Sequence, residues 1–187
     1  MNSVLQSSES AEWYTPSHYI EAVRKLLGTI TLDPASCEFA NRTVKAKHYY
    51  TKEDNGLMQL WHGSLFVNPP YGRTDTGRSN QEIWTNKLIA EYEDGNVAEA
   101  ILLVNAATGN AWFQPLWNYY MCFTDHRIRF YNAVEEANAP THSNVFVYFG
   151  NQQQRFVDLF SAFGTVVKRA DETKTKTSAL SRDLWSL

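Results

Sequence analysis

The sequence predicts an α/β domain, a mostly parallel central sheet with helices on both faces. Three observations point there. SLFV (64–67), EAILLVNA (99–106) and NVFVYFG (144–150) are apolar runs of strand length, the pattern of strands buried on both faces. Stretches with apolar residues at helical spacing alternate with such runs, as in a sheet whose strands are joined by helical crossovers. Two strand ends fall on proline turns, Asp33-Pro34 and Asn68-Pro69-Pro70. In sheets of this kind ligands lie beyond the carboxyl ends of the strands, so the two turns share one rim.

The elements follow in order. Residues 1–12 are polar and serine-rich, a loose leader to a single domain over 13–169, with a polar tail at 170–187. Ser17 is placed to cap a helix over HYIEAVRKLLG, where Ile20, Val23, Leu26 and Leu27 share a face and Gly28 is the stop. TITLDPA reads as a short β-branched strand broken at Asp33-Pro34. Residues 36–60 are mixed and polar. Strand 64–67 runs into the second proline turn, and 73–79, rich in Gly, Thr and charge, reads as a mobile loop. A helix covers 80–93 and ends at Asp94-Gly95. Strand 99–106 leads to a short helix at 111–117. MCF and RIRFY read as two short strands broken at Thr124-Asp125-His126. A polar loop (132–143) precedes strand 144–150; QQQRFVDLFSAFG is an amphipathic helix and GTVVKR a last strand. No internal repeat is visible.

Composition removes several classes. The net charge of −3 excludes a protein that coats nucleic acid by bulk charge, so any DNA contact must come from a local patch. Cys37 and Cys122 have neither bridge nor knuckle spacing, which fits a reducing compartment. The five His and two Cys form no metal-ligand pattern. No run is long enough to span a bilayer and the first residues lack a signal pattern; a cytoplasmic protein is expected. Aromatics reach 14%, enough for a large aromatic core with some left to stack on planar ligands.

Asn68-Pro69-Pro70-Tyr71 carries the chemistry. An aryl amine shares its lone pair with its ring and is a poor nucleophile. Accepting both of its N–H hydrogens draws the nitrogen toward tetrahedral geometry. The Asn68 amide oxygen and the Pro69 carbonyl suit that task, because acceptors aimed at a centre that becomes positive stabilise the transition state selectively. Two prolines stiffen the turn, and Tyr71 can stack on a base. The bland alternative is a plain proline turn after a strand. In a duplex the target base must leave the stack, at a cost of roughly a few kcal/mol.

At this point the chain resembles the phage-type DNA N-6-adenine methyltransferases, from about residue 12 to 168. The resemblance rests on an ordered set of strings: Glu12-Trp13-Tyr14-Thr15-Pro16; Leu32-Asp33-Pro34-Ala35-Ser36 with Asn41; Tyr49-Tyr50-Thr51; Glu53-Asp54-Asn55-Gly56-Leu57 with Trp61; Val67 through Tyr71; Ile101 through Asn105 with Trp112-Phe113; and Arg127-Ile128-Arg129-Phe130. It implies a Rossmann-like methyltransferase fold, S-adenosylmethionine as cofactor and DNA as partner. Catalytic residues would be Asn68, Pro69, Pro70 and Tyr71. On the cofactor side it implies Trp13, Thr15 and Pro16 over the methionine end, Asp33 near the ammonium with Pro34, Ala35 and Ser36, and Asp54 with Leu57 at the adenine. Arg73 and Arg78, flanking the proline turn, and Arg129 are candidates for DNA phosphates. Their ordinary alternative is solvated charge. Phe130 is a second candidate to pack on a flipped base. A monomer or weak dimer in the cytoplasm is expected, the host's if the chain is phage-encoded.

The sequence departs from the methyltransferase pattern in one respect. Ser36-Cys37-Glu38 stands where a Gly-rich turn usually follows the first strand, and residues 37–67 leave space only for abbreviated second and third strands. Glu38 and Glu53 are the candidates for the carboxylate that grips the ribose. Two other readings stand beside this one: a methyltransferase for another planar group, such as a protein glutamine or an RNA guanine, and an inactive DNA-binding relative.

Overall fold

Helix α1 (Ser17–Leu27) forms where the apolar spacing places it. Tyr19, Ile20, Val23, Leu26 and Leu27 are buried along one face. The cap is Pro16 rather than Ser17, one residue earlier than expected, and Gly28 closes the helix at φ 72° with its N–H on the Arg24 carbonyl. The computed structural model describes residues 13–131 and 142–170; the expected leader, most of the 132–143 loop and nearly all of the tail lie outside them. Strand β1 (Leu32–Asp33) is two residues long and stops at Pro34. The polar stretch 36–60 holds three short elements: helix α2 (Glu38–Val44), strand β2 (His48–Tyr49) and a 3-10 turn at Gly56–Met58.

Strand β3 (Gly63–Val67), helix α3 (Asn80–Glu93) and strand β4 (Val97–Asn105) follow the sequence reading closely. Next come a 3-10 helix at Ala111–Asn118, β5 (Tyr120–Thr124), β6 (Asn144–Phe149), α4 (Gln153–Phe160) and β7 (Gly164–Val167). RIRFY forms no strand. Its alternation is real, with Ile128 and Phe130 buried and Arg127 and Arg129 exposed, but among the described residues its β-pairing is one isolated bridge, Tyr131 to Tyr14.

The seven strands make one sheet in the order β2-β1-β3-β4-β6-β5-β7. Pairings among β2, β1, β3 and β4 are parallel; those of β6 with β4, β6 with β5 and β7 with β5 are antiparallel. The sheet is therefore mixed, and the expectation of a mostly parallel one holds only for its first half. An all-apolar run reports burial of both faces and says nothing of direction. Both faces are covered. Phe66, Ile101, Leu103, Phe146 and Tyr148 pack under α1 and α4. Their alternates Leu65, Val67, Leu102, Val104, Val145 and Val147 pack under α3 and the 111–118 helix.

Candidate active site

Strands β1 and β3 are parallel neighbours, with Leu32 opposite Leu65. The chain order reverses about β1, which has β2 on one side and β3 on the other. A crevice opens beyond the carboxyl ends of strands at such a reversal. Both proline turns emerge there.

On the β1 side, Asp33 is 3% exposed and makes no ion pair with a described residue. Burial pushes its carboxyl up to about 7, against the opposing influence of the Ser36 hydroxyl and the Ala35 N–H. The Ala35 N–H donates to Asp33 Oδ1 at 3.3 Å. Ser36 Oγ lies near enough to favour the ionised carboxylate, yet it makes no hydrogen bond of ordinary geometry and is itself buried. A carboxylate held in this way is the side of a charge pair that a cationic ligand completes. The missing Gly-rich turn has a structural answer. Among the described residues the non-glycine positive φ angles are at Lys45 and Asn55, so residues 33–37 turn without needing glycine. Cys37 caps α2 there, its sulfur accepting from the Ala40 N–H at 3.4 Å.

The turn 51–58 packs onto this segment. A Cβ on Gly56 would sit 2.0 Å from the Pro34 carbonyl oxygen. The turn therefore brings Leu57, half-buried, beside the β1 end. Asp54 is exposed; its Oδ2 accepts from the Thr51 N–H and hydroxyl, both at 2.8 Å, which holds its carboxyl below the usual range. Glu38 and Glu53 are exposed, and Glu38 pairs with Arg42 at 3.2 Å, so neither stands out as a ribose ligand.

The segment 13–16 ties the two sides together. Trp13 is half-buried against the α1 core. The Tyr14 N–H donates to the Tyr131 carbonyl at 2.7 Å and the return bond is 3.2 Å. The Cys37 thiol donates to the Tyr14 hydroxyl at 3.5 Å. Thr15, 5% exposed, accepts from Asn68 Nδ2 at 3.3 Å. Pro69 is buried and Pro70 exposed, and no described donor meets the Pro69 carbonyl. Tyr71 packs edge-on to Phe130 with centroids 6.0 Å apart. Burial pushes its phenol up to about 12, opposed by a hydrogen bond with the Asn144 side chain, so the ring stays neutral.

The basic candidates lie on the surface. Arg73 donates to the Gly77 carbonyl at 2.7 Å, Arg78 pairs with Glu82 at 3.1 Å, and Arg129 is exposed. The loop that carries the first two is a closed turn. The Thr74 N–H reaches the Arg78 carbonyl at 2.9 Å, and the Asn80 N–H and Nδ2 hold the Gly72 and Tyr71 carbonyls at 3.1 and 3.2 Å.

Sequence reasoning missed a buried polar group behind Tyr71. Asn144, 2% exposed, donates to Asn105 Oδ1 at 3.4 Å, and the Asn105 N–H donates to Gln81 Oε1 at 3.2 Å. Asn105 and Asn144 are register partners. The available signal was an Asn at the end of one apolar run and another at the start of the next. Among the described residues no helix is long and apolar enough to cross a membrane, and no group of three or more His, Cys, Asp or Glu could hold a metal ion.

Fold and rim together define an α/β domain in which two proline turns leave neighbouring parallel strands at the reversal of strand order. The model of one family, DNA N-6-adenine-methyltransferase (Dam), matches residues 2–178, and the chain belongs to that family. It is an adenine-specific DNA methyltransferase, and the family's methyl donor is S-adenosylmethionine. No curated protein and no solved structure matches the chain.

Proposed function

We propose that methyl transfer to adenine takes place in the crevice between the β1 and β3 ends, on a Rossmann-like methyltransferase fold. The observation that supports this is that two polar turns leave adjacent parallel strands: the buried Asp33, with no ion pair among the described residues, ends β1, and Asn68-Pro69 follows β3. The strand order, with its reversal at β1, supports the fold assignment.

S-adenosylmethionine, when bound, supplies an electrophilic methyl group. Asp33 would hold its ammonium, beside Pro34, Ala35 and the buried Ser36 hydroxyl. Trp13, Thr15 and Pro16 would line its methionine end. Asp54 Oδ1, free of Thr51, would accept from the adenine amino group, with Leu57 as the apolar contact for that ring. The Asp33 carboxyl, which meets no cation among the described residues, and the buried Ser36 hydroxyl beside it are the features that fit this group.

On the DNA side, Asn68 Oδ1 and the Pro69 carbonyl accept the two N–H hydrogens of the flipped base. Both acceptors gain strength as the nitrogen becomes positive, which lowers the barrier selectively. Losing one such preorganised group costs about 10²–10³ in rate. No strong base is required: as the N–C bond forms, the donor's S–CH3 bond breaks to leave a neutral thioether, the positive charge passes to the amine nitrogen, and the proton made acidic in this way leaves to water. Tyr71, neutral and braced by Phe130, stacks on the base. A stack of about 1–3 kcal/mol offsets much of the cost of flipping. Arg73, Arg78 and Arg129 take phosphates; the exposed Arg78–Glu82 pair is worth about 0.3–0.5 kcal/mol and yields readily.

Asn68→Ala tests the reading. It should keep the affinity for cofactor and DNA within about threefold while the methylation rate falls by about 10²–10³. An unchanged rate would remove Asn68 from the chemistry.

A further inference from the structure

We infer that Thr15 is a positioning residue for methyl transfer: by accepting from Asn68 Nδ2 it turns Asn68 Oδ1 toward the substrate amine. The inference rests on the reading of Asn68 as a catalytic acceptor.

A primary amide has an acceptor at one end and two donors at the other. Rotated by half a turn, Asn68 would meet the adenine amine with N–H groups, donor against donor, and could not draw the nitrogen toward tetrahedral geometry. Catalysis therefore depends on which end faces the crevice. The Thr15 hydroxyl oxygen lies 3.3 Å from Nδ2 and is on a residue 5% exposed, so water does not readily replace it as the acceptor.

Thr15 is itself held from both sides. Upstream, Tyr14 is pinned by its two backbone bonds to Tyr131 and by the Cys37 thiol. Downstream, Pro16 caps α1, its carbonyl accepting from the Tyr19 N–H at 3.2 Å. A residue before proline is restricted to extended backbone, and a β-branched side chain is stiff at χ1. The oxygen is thus presented by a short, doubly anchored segment, and it reaches a partner 53 residues away in sequence. Such a segment fixes the place of the hydroxyl, and with its oxygen accepting from Nδ2 the amide leaves Oδ1 for the substrate amine.

The test compares Thr15→Val, which keeps the shape and removes the acceptor, with Thr15→Ser, which keeps the acceptor. Measured at saturating cofactor, Thr15→Val should lower kcat by about tenfold to a hundredfold with KM for DNA within about threefold of wild type, whatever Thr15 adds to cofactor binding. Thr15→Ser should restore kcat to within about threefold. In the Asn68→Ala background Thr15→Val should cause no further loss, because its effect runs through that amide. A Thr15→Val enzyme with wild-type kcat overturns the inference. So does equal impairment of Val and Ser with weakened cofactor binding, which would make Thr15 a cofactor contact only. Should the valine variant melt early, Thr15→Ala repeats the measurement without overpacking. If Asn68→Ala alone keeps full activity, the catalytic reading of Asn68 has failed, an outcome separate from the Thr15 comparison.

Discussion

Replacing Asp33 by Asn should make the cofactor-free protein more stable at alkaline pH while impairing its cofactor binding. The carboxyl is 3% exposed and has no cationic partner among the described residues. Burial raises its pKa from an ordinary 3.8 to about 7. The native state thus holds this proton more tightly than the unfolded chain. Its stabilising contribution is whole below about pH 4, falls as pH rises toward 7, and is lost above that. Three pH units correspond to about 4 kcal/mol at 1.36 kcal/mol each, an order-of-magnitude figure. The assay is urea unfolding of both proteins without cofactor at pH 5 and pH 8. The difference between them isolates this one group from every other titration. Asn at position 33 should gain on wild type by roughly 2–4 kcal/mol between the two pH values. Cofactor affinity should show the opposite trend. In wild type it should rise as pH passes 7 and the carboxylate ionises, then level off; in Asp33→Asn it should be weaker and lose that rise. An Asp33→Asn protein that gains nothing at pH 8 would show that burial of the ionised carboxylate costs nothing, and one that binds cofactor like wild type would remove Asp33 from the cofactor site.

Three further predictions follow from the same geometry. Gly56→Ala would drive a Cβ to 2.0 Å from the Pro34 carbonyl oxygen and 3.1 Å from the Trp84 ring, so the turn must lift. Thermal melting and calorimetry should find a loss of about 1–3 kcal/mol and weaker cofactor binding, and stability within about 0.5 kcal/mol of wild type would count against the packing. Tyr71→Phe should keep most activity, because a phenol pushed up to about 12 does no acid–base work near neutrality. Tyr71→Ala should lose about 1–3 kcal/mol of binding to DNA carrying an unpaired target adenine, and equal loss in Phe and Ala would point to the hydroxyl instead. Arg129→Ala should reduce the slope of log affinity against log salt by about 0.9 on every DNA sequence, whereas an unchanged slope would place the exposed Arg129 away from the phosphates.

The long elements were legible in the sequence because their patterns are long. Residues 80–93 and the runs 64–67, 99–106 and 144–150 became α3, β3, β4 and β6 with boundaries shifted by a residue or two. The polar stretch 36–60 was opaque because β2 has two residues and α2 seven, too few for a period to show. Strand direction was hidden for a different reason. Val145 to Phe149 are buried on both faces whether β6 runs with β4 or against it. RIRFY showed correct alternation, but nothing in those residues says that a neighbouring strand is missing. In the candidate site, Asn68-Pro69-Pro70-Tyr71 and Asp33-Pro34 were visible as turns after strands. The Thr15–Asn68 contact was not, since it depends on the Tyr14–Tyr131 bridge closing a long loop. The Asn105–Asn144 pair was hidden likewise, because it is made only when β4 and β6 come into register.

In the proposed reaction the Asn68-Pro69-Pro70-Tyr71 rim places a methyl group on the exocyclic nitrogen of adenine in DNA. The most direct measurement uses methyl-labelled S-adenosylmethionine with unmethylated DNA, followed by digestion to nucleosides and separation. The label should appear as N6-methyl-2′-deoxyadenosine with the wild-type protein and fall by at least about a hundredfold with Asn68→Ala. Label in another nucleoside, in protein, or at equal yield with Asn68→Ala would contradict it.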